Sequence, residues 1–116
     1  MQPKSLPLLW DIDDSASFIL QISGSLSMYE YLENRVIRDH VERNFEIIGE
    51  AIRLIGLIDP DTIGLIDGHR EIIGLRNRIA HGYRGIDDEL MWNFIQSSLP
   101  ILLTQVRELL QSSEPE

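Results

Sequence analysis

The stretch Asn34–Leu57, NRVIRDHVERNFEIIGEAIRLIGL, decides the fold. Ile37, Val41, Phe45, Ile48, Ile52 and Ile55 recur at intervals of three and four, the spacing that gathers side chains on one side of an α-helix. Val36, Ile47, Leu54 and Ile58 begin a second stripe. The helix is therefore expected to be covered on two sides, either as the central core helix or with one stripe given to a second subunit. Gly49 costs a helix about 1 kcal/mol against Ala, and a close helix crossing at that position would account for it.

The same period runs outward from this segment. A first helix is expected over Pro7 to Ser23, with Leu8, Ile12, Ala16 and Ile19 as its stripe and Gly24 as its stop. Ser27 and Glu30 have capping-box spacing for a short helical turn. Asp59-Pro60 reads as an N-cap followed by a first helical residue, opening a turn punctuated by Gly64 and Gly68. A third helix follows from His69 to His81, buried through Ile72, Ile73, Ile79 and Ala80 and stopped by Gly82. The fourth, Asp87 to Gln111, starts on three acids that suit a helix N-terminus. It faces the core with Met91, Phe94, Ile95, Leu102, Val106 and Leu109, and Pro100 is expected to kink it. No segment alternates as a strand would. The fold class is all-α: an antiparallel bundle of four main helices plus short helical turns, one domain over residues 1–116 with frayed ends at 1–5 and 112–116.

Composition narrows the function classes. The 116 residues are 43% hydrophobic, enough for a modest core, and a chain this short gains from association with another subunit. The absence of cysteine excludes disulfides and thiolate metal sites. No apolar run has the length of a membrane span, and Met1–Trp10 does not have the apolar stretch of a signal peptide, so the expected location is the cytoplasm without membrane attachment. A net charge of −9 argues against a surface built for nucleic acid throughout. Between His69 and Arg84, however, Arg70, Arg76, Arg78 and Arg84 stand against the single acid Glu71, a positive island in an acidic chain.

That island holds the densest polar cluster, Arg76-Asn77-Arg78-Ile79-Ala80-His81-Gly82-Tyr83. Asn77 and His81, four apart, share a helix face, whereas Arg76 and His81 are separated by about 140° around the axis. A long Arg side chain, or one from a symmetry-related subunit, could still reach the phosphate that His81 reaches. The pair suits phosphodiester cleavage in RNA. A neutral imidazole takes the ribose hydroxyl proton, an imidazolium protonates the leaving oxygen, and a guanidinium binds the phosphate by paired hydrogen bonds. This chemistry calls for no metal or other cofactor, and two copies on a two-fold axis would supply separate acid and base. On the residues alone the competing arrangement is a His81 bonded to helix-end carbonyls and an Arg76 tied to Glu46 or Glu50. His40 and His69 have no companions at metal-ligand spacing. Tyr29 and Tyr31 near Trp10 are read as packing, and Asp11, Asp13 and Asp14 as a solvated face.

The segment resembles the signature of the HepT-like toxin family of the HEPN superfamily: Arg, four to six residues, His, any residue, Tyr. Arg76, His81 and Tyr83 fill it, and Asn77 matches the polar residue often found after the Arg. Ile48-Gly49-Glu50-Ala51, Gly74-Leu75 before the motif, Gly85-Ile86-Asp87 after it and Leu99-Pro100 extend the likeness over nearly the whole chain. The resemblance implies an all-α HEPN-like fold and a metal-independent endoribonuclease toxin, homodimeric, with the motif at the subunit interface. Arg76 and His81 would be catalytic and Asn77 assisting, with Arg78 and Arg84 as further RNA contacts. It also implies a minimal nucleotidyltransferase antitoxin that silences the toxin by transferring AMP to Tyr83. The alternative from another class is a catalytically silent helical module that scaffolds such a nucleotidyltransferase. One departure is visible: Arg84 stands where an aromatic residue, usually Phe, is expected.

Overall fold

The computed structural model describes residues 1–80 and 87–113, with the side chain of Ala80 excepted. Among the described residues the chain is all-α, with no strand. Its elements are α1 (Ser5–Ser23), α2 (Met28–Glu33), α3 (Arg35–Ile58), α4 (Pro60–Ile63), α5 (His69–Ala80) and α6 (Asp88–Ser112). Four are long helices, and α2 and α4 are the short turns that the caps called for. The Ser27 hydroxyl accepts from the Glu30 backbone N–H while Glu30 accepts from that of Ser27. Asn34 caps α3 through the Ile37 N–H, Asp59 caps α4 with Pro60 as first residue, and Asp87 caps α6 through the Leu90 N–H. Gly68, with φ at +71°, takes the left-handed conformation that leads into α5. The Gly82 stop proposed for α5 lies outside the described residues. Pro100 lies within the continuous span assigned to α6, and its carbonyl accepts from the Thr104 hydroxyl.

Helix α3 is central, packed between α1 and α5, with α2 and α4 at its ends. Its first stripe is the core: Val41, Phe45, Ile48, Ile52 and Ile55 are fully or almost fully buried, and Ile37 is half-buried. At about 1.5–3 kcal/mol for each fully buried large apolar side chain, this stripe is the main apolar contribution of α3. The second stripe is not covered to the same degree. Val36 and Ile58 are exposed and Ile47 and Leu54 only partly buried, the latter two lining a cleft with residues of α1 and α5. In α1 Leu9 is buried rather than Leu8, which is only partly covered; Leu9, Ile12, Ala16 and Ile19 make the apolar stripe. In α5 Leu75 joins Ile72 in the core while Ile73 and Ile79 are half-buried. Trp92, Leu99, Leu103 and Leu110 widen the buried face of α6 beyond the expected set.

Two polar arrangements tie distant segments. Asp59, where α3 passes into α4, accepts at Oδ2 from the Gln2 backbone N–H at 2.7 Å, the Ser5 hydroxyl at 2.9 Å and the Thr62 hydroxyl at 2.7 Å. The first residues, expected to be loose, are thus anchored at Gln2 and Ser5. These hydrogen bonds, Gln2 first and Thr62 next, outweigh burial and hold the Asp59 carboxyl at about 2. Arg107 of α6 donates to Asp13 and Ser17 of α1, so one member of the supposed solvated acidic face is paired.

The aromatic reading needs correction. Tyr31 packs on Trp92, with ring centroids 5.3 Å apart, and not on Trp10. Trp10 and Tyr29 are exposed. Tyr31 had to be buried because α2 lies against α3 and α6, a placement that no local spacing reveals.

Candidate functional site

Arg76 is placed by a near-contact of backbones. At Gly49 of α3 the missing side chain leaves room for the Cβ and Cγ of Arg76 on α5. The two helices therefore cross where the sequence put a glycine inside a helix. The Arg76 stem lies along α3 and its head turns toward solvent, leaving the side chain about a quarter exposed.

The guanidinium is held at both ends. Nη2 lies 2.9 Å from Glu50 Oε2, and Nη1 donates to Asn77 Oδ1 at 3.2 Å. Nε is buried and has no hydrogen-bond partner among the described residues. Glu50 is held in turn by Arg53, which donates from Nε to Oε2 at 3.2 Å and from Nη2 to Oε1 at 2.6 Å. The hydrogen bond from Arg53 is the main cause that keeps the Glu50 carboxyl below its ordinary range, with the charges of Arg53 and Arg76 adding to it. Arg53 is raised correspondingly by Glu50. Of the two carboxylates named as competitors for Arg76, Glu50 takes it, whereas Glu46 pairs with Arg43 at 3.6 Å.

A cleft of about 320 Å³ lies between α1, α3 and α5, with Asp11, Arg43, Glu46, Glu50 and Arg76 as its polar wall and an apolar wall that includes Leu8. Asn77 is exposed beside it. Arg78 points elsewhere, into a larger groove of about 620 Å³ between α5 and α6 lined by Glu71, Leu75, Leu90 and Phe94. Arg76 and Arg78 therefore serve different surfaces. His81, Tyr83 and Arg84 lie outside the described residues, as does the core role given to the Ala80 side chain.

His40 meets the Phe18 ring edge-on, and His69 shares a hydrogen bond with the Ile66 carbonyl through Nδ1. Among the described residues no three His, Cys, Asp or Glu side chains are grouped as metal ligands would be. No helix among them is long and apolar enough to cross a membrane. Sequence reading missed Arg43 and Arg53 as neighbours of the site. The signal was there: both stand at i,i+3 spacing from an acid on one helix, Arg43 before Glu46 and Arg53 after Glu50.

An all-α bundle alone does not fix the class of a protein; likeness to a known family does. Residues 12–109 match the family described as Ribonuclease HepT-like, and the chain belongs to that family. Among its relatives is "Putative RNase MJ1380" of Methanocaldococcus jannaschii, 34% identical over 98 residues, which cover 84% of this chain and 89% of the relative. "Putative RNase TTE0752" of Caldanaerobacter subterraneus is 27% identical over 93% of this chain and 96% of its own length. "Probable ribonuclease HepT" of Thermococcus cleftensis is 25% identical, over 87% and 91% respectively. No solved structure matches the chain.

Proposed function

We propose that the chain is a metal-independent endoribonuclease toxin, acting as a two-fold homodimer and controlled by a nucleotidyltransferase antitoxin. The observation that carries this reading is the family match, whose residues 12–109 include Arg76 to Tyr83. Arg76, partly exposed in a charged cleft, is the phosphate-binding cation and Asn77 assists by accepting from it. His81 moves the proton. The ribose 2′-oxygen attacks the adjacent phosphorus, the 5′-oxygen leaves with a proton, and the product carries a cyclic phosphate. A second copy supplies the second imidazole, so that acid and base are separate groups. Arg78 and Arg84 contribute further contacts to RNA.

Control falls on Tyr83. Its oxygen attacks the α-phosphorus of ATP on the partner enzyme, pyrophosphate leaves and the phenolic proton passes to solvent. The attached AMP brings bulk and a negative phosphate to the place where Arg76 would bind RNA.

The test is cleavage of RNA with chelator present, by the wild type and by His81→Ala and Arg76→Ala, each variant checked for its fold by circular dichroism. Loss of both activities is expected. Cleavage that persists in the double variant removes the site, and cleavage that stops on chelation removes the metal-free chemistry. For Tyr83, intact-mass measurement with the partner and ATP should show a gain of AMP that Tyr83→Phe lacks, and a gain mapped to Tyr29 overturns the assignment. The second reading, a silent module that scaffolds the nucleotidyltransferase, draws on the engagement of Arg76 by Glu50, which resembles a structural ion pair. It predicts partner binding with no RNA cleavage.

A further inference from the structure

We infer that Glu50 and Arg53 form a positioning pair for Arg76: Glu50 aims the guanidinium, and Arg53 cancels the charge that Glu50 would otherwise take from it. The inference rests on the ribonuclease reading and deepens it.

A guanidinium offers one N–H from Nε and two from each Nη. Arg76 Nε is buried. Nη2 is ion-paired with Glu50 Oε2 at 2.9 Å and Asn77 takes a proton of Nη1, which leaves N–H groups on both Nη atoms for a phosphate. An ion-pair partner at one end and an acceptor at the other restrain the group, which an Arg at an open helix surface would turn freely. Orientation of this kind is what paired recognition of a phosphate needs.

The aim has an electrostatic drawback. Glu50 and Arg76 alone sum to no charge, and the cleft also holds Asp11, Glu46 and Arg43 in a chain whose net charge is −9. A phosphate approaching such a site would find acids in excess. Arg53 changes the balance. It donates to both oxygens of Glu50, does not itself line the cleft, and leaves the Arg53-Glu50-Arg76 group with a net positive charge.

The roles separate by the sign of their effects. Glu50→Gln keeps the shape and one acceptor oxygen while removing the negative charge. It should bind RNA more tightly than wild type and yet turn it over more slowly, since the amide holds Arg76 less firmly. Arg53→Gln should bind more weakly. The double variant Glu50→Gln/Arg53→Gln restores the charge and should return binding to near the wild-type value. Each single change is expected to alter affinity about two- to five-fold, the scale of a partly exposed charge pair. Affinity is read by fluorescence anisotropy on a single-stranded 2′-O-methyl oligoribonucleotide of mixed sequence, which cannot be cleaved. Turnover is read on the unmodified RNA. If both single variants shift affinity in the same direction, or neither differs from wild type while Arg76→Ala abolishes cleavage, the pair is only structural and the inference fails alone. If the wild type neither binds nor cleaves RNA, the ribonuclease reading fails and takes the inference with it.

Discussion

Gly49 of α3 and Arg76 of α5 lie so close that a methyl group on Gly49 would overlap the Arg76 Cβ and come within 2.5 Å of its Cγ. Gly49→Ala should therefore destabilise the protein by about 1–3 kcal/mol, although Ala is the better helix former. Gly74 on α5 is the control, because a Cβ there meets nothing within 4 Å. Gly74→Ala should stabilise by about 0.5–1 kcal/mol. Urea unfolding of the two variants checks the pair, and equal signs would show that the crossing is looser than it looks.

Arg76→Lys tests whether the guanidinium matters as a fork or as a charge. A lysine ammonium cannot span Glu50 Oε2 and Asn77 Oδ1 while presenting paired donors to a phosphate. RNA cleavage should fall about 100-fold or more with the fold intact. Activity close to wild type would mean that a point charge suffices.

Asp59 predicts an acid limb of stability. Its folded value of about 2 lies below its ordinary 3.8, so the carboxylate favours the folded state fully above the ordinary value. That contribution is lost as pH falls through the window between the two. Asp59→Asn should be less stable near neutrality and flatter in its pH dependence between about pH 4 and 2. Thermal midpoints measured across that window decide it, and parallel profiles for variant and wild type would rule the anchor out.

Tyr31 predicts a gain from a deletion. Its hydroxyl is buried beside Trp92 without a partner among the described residues, and burial pushes the phenol well above its ordinary range, with Asp88 and Glu42 adding to the shift. Tyr31→Phe should stabilise the protein by about 1 kcal/mol. It should also remove a loss seen only in the wild type: a group raised on folding favours the native state below its unfolded value, and that favour fades as pH rises beyond about 10. Denaturant midpoints at neutral and alkaline pH test both statements.

The helices were legible because Ile37 to Ile55, Met91 to Val106 and the caps at Ser27, Asp59 and Asp87 are local signals. The Gly49 crossing was legible as a need, but its partner was not, since nothing at Gly49 points to a residue 27 positions later. The Asp59 anchor to Ser5 spans 54 positions and left no trace in spacing. Tyr31 is legible as a packing residue, but not its partner Trp92, which lies 61 positions away and is brought to it by the bundle. For the site, Arg76 and Asn77 were found by resemblance to a motif. The clamp on Arg76 came into view only when α3 and α5 were laid together, for the i,i+3 pair Glu50–Arg53 looks on its own like any solvated helix pair.

Helix α5 leans on α3 and shares little with α6, from which the large groove at Arg78 divides it. Among the described residues its main support is α3 alone. Its amides should exchange with solvent deuterium sooner than those of α1 or α3, since protection follows the number of contacts that must break at once. A ligand gripping Arg76 or Asn77 would then be felt as slowed exchange along the whole of α5, which makes that helix a reporter of occupancy even where no catalysis is measured.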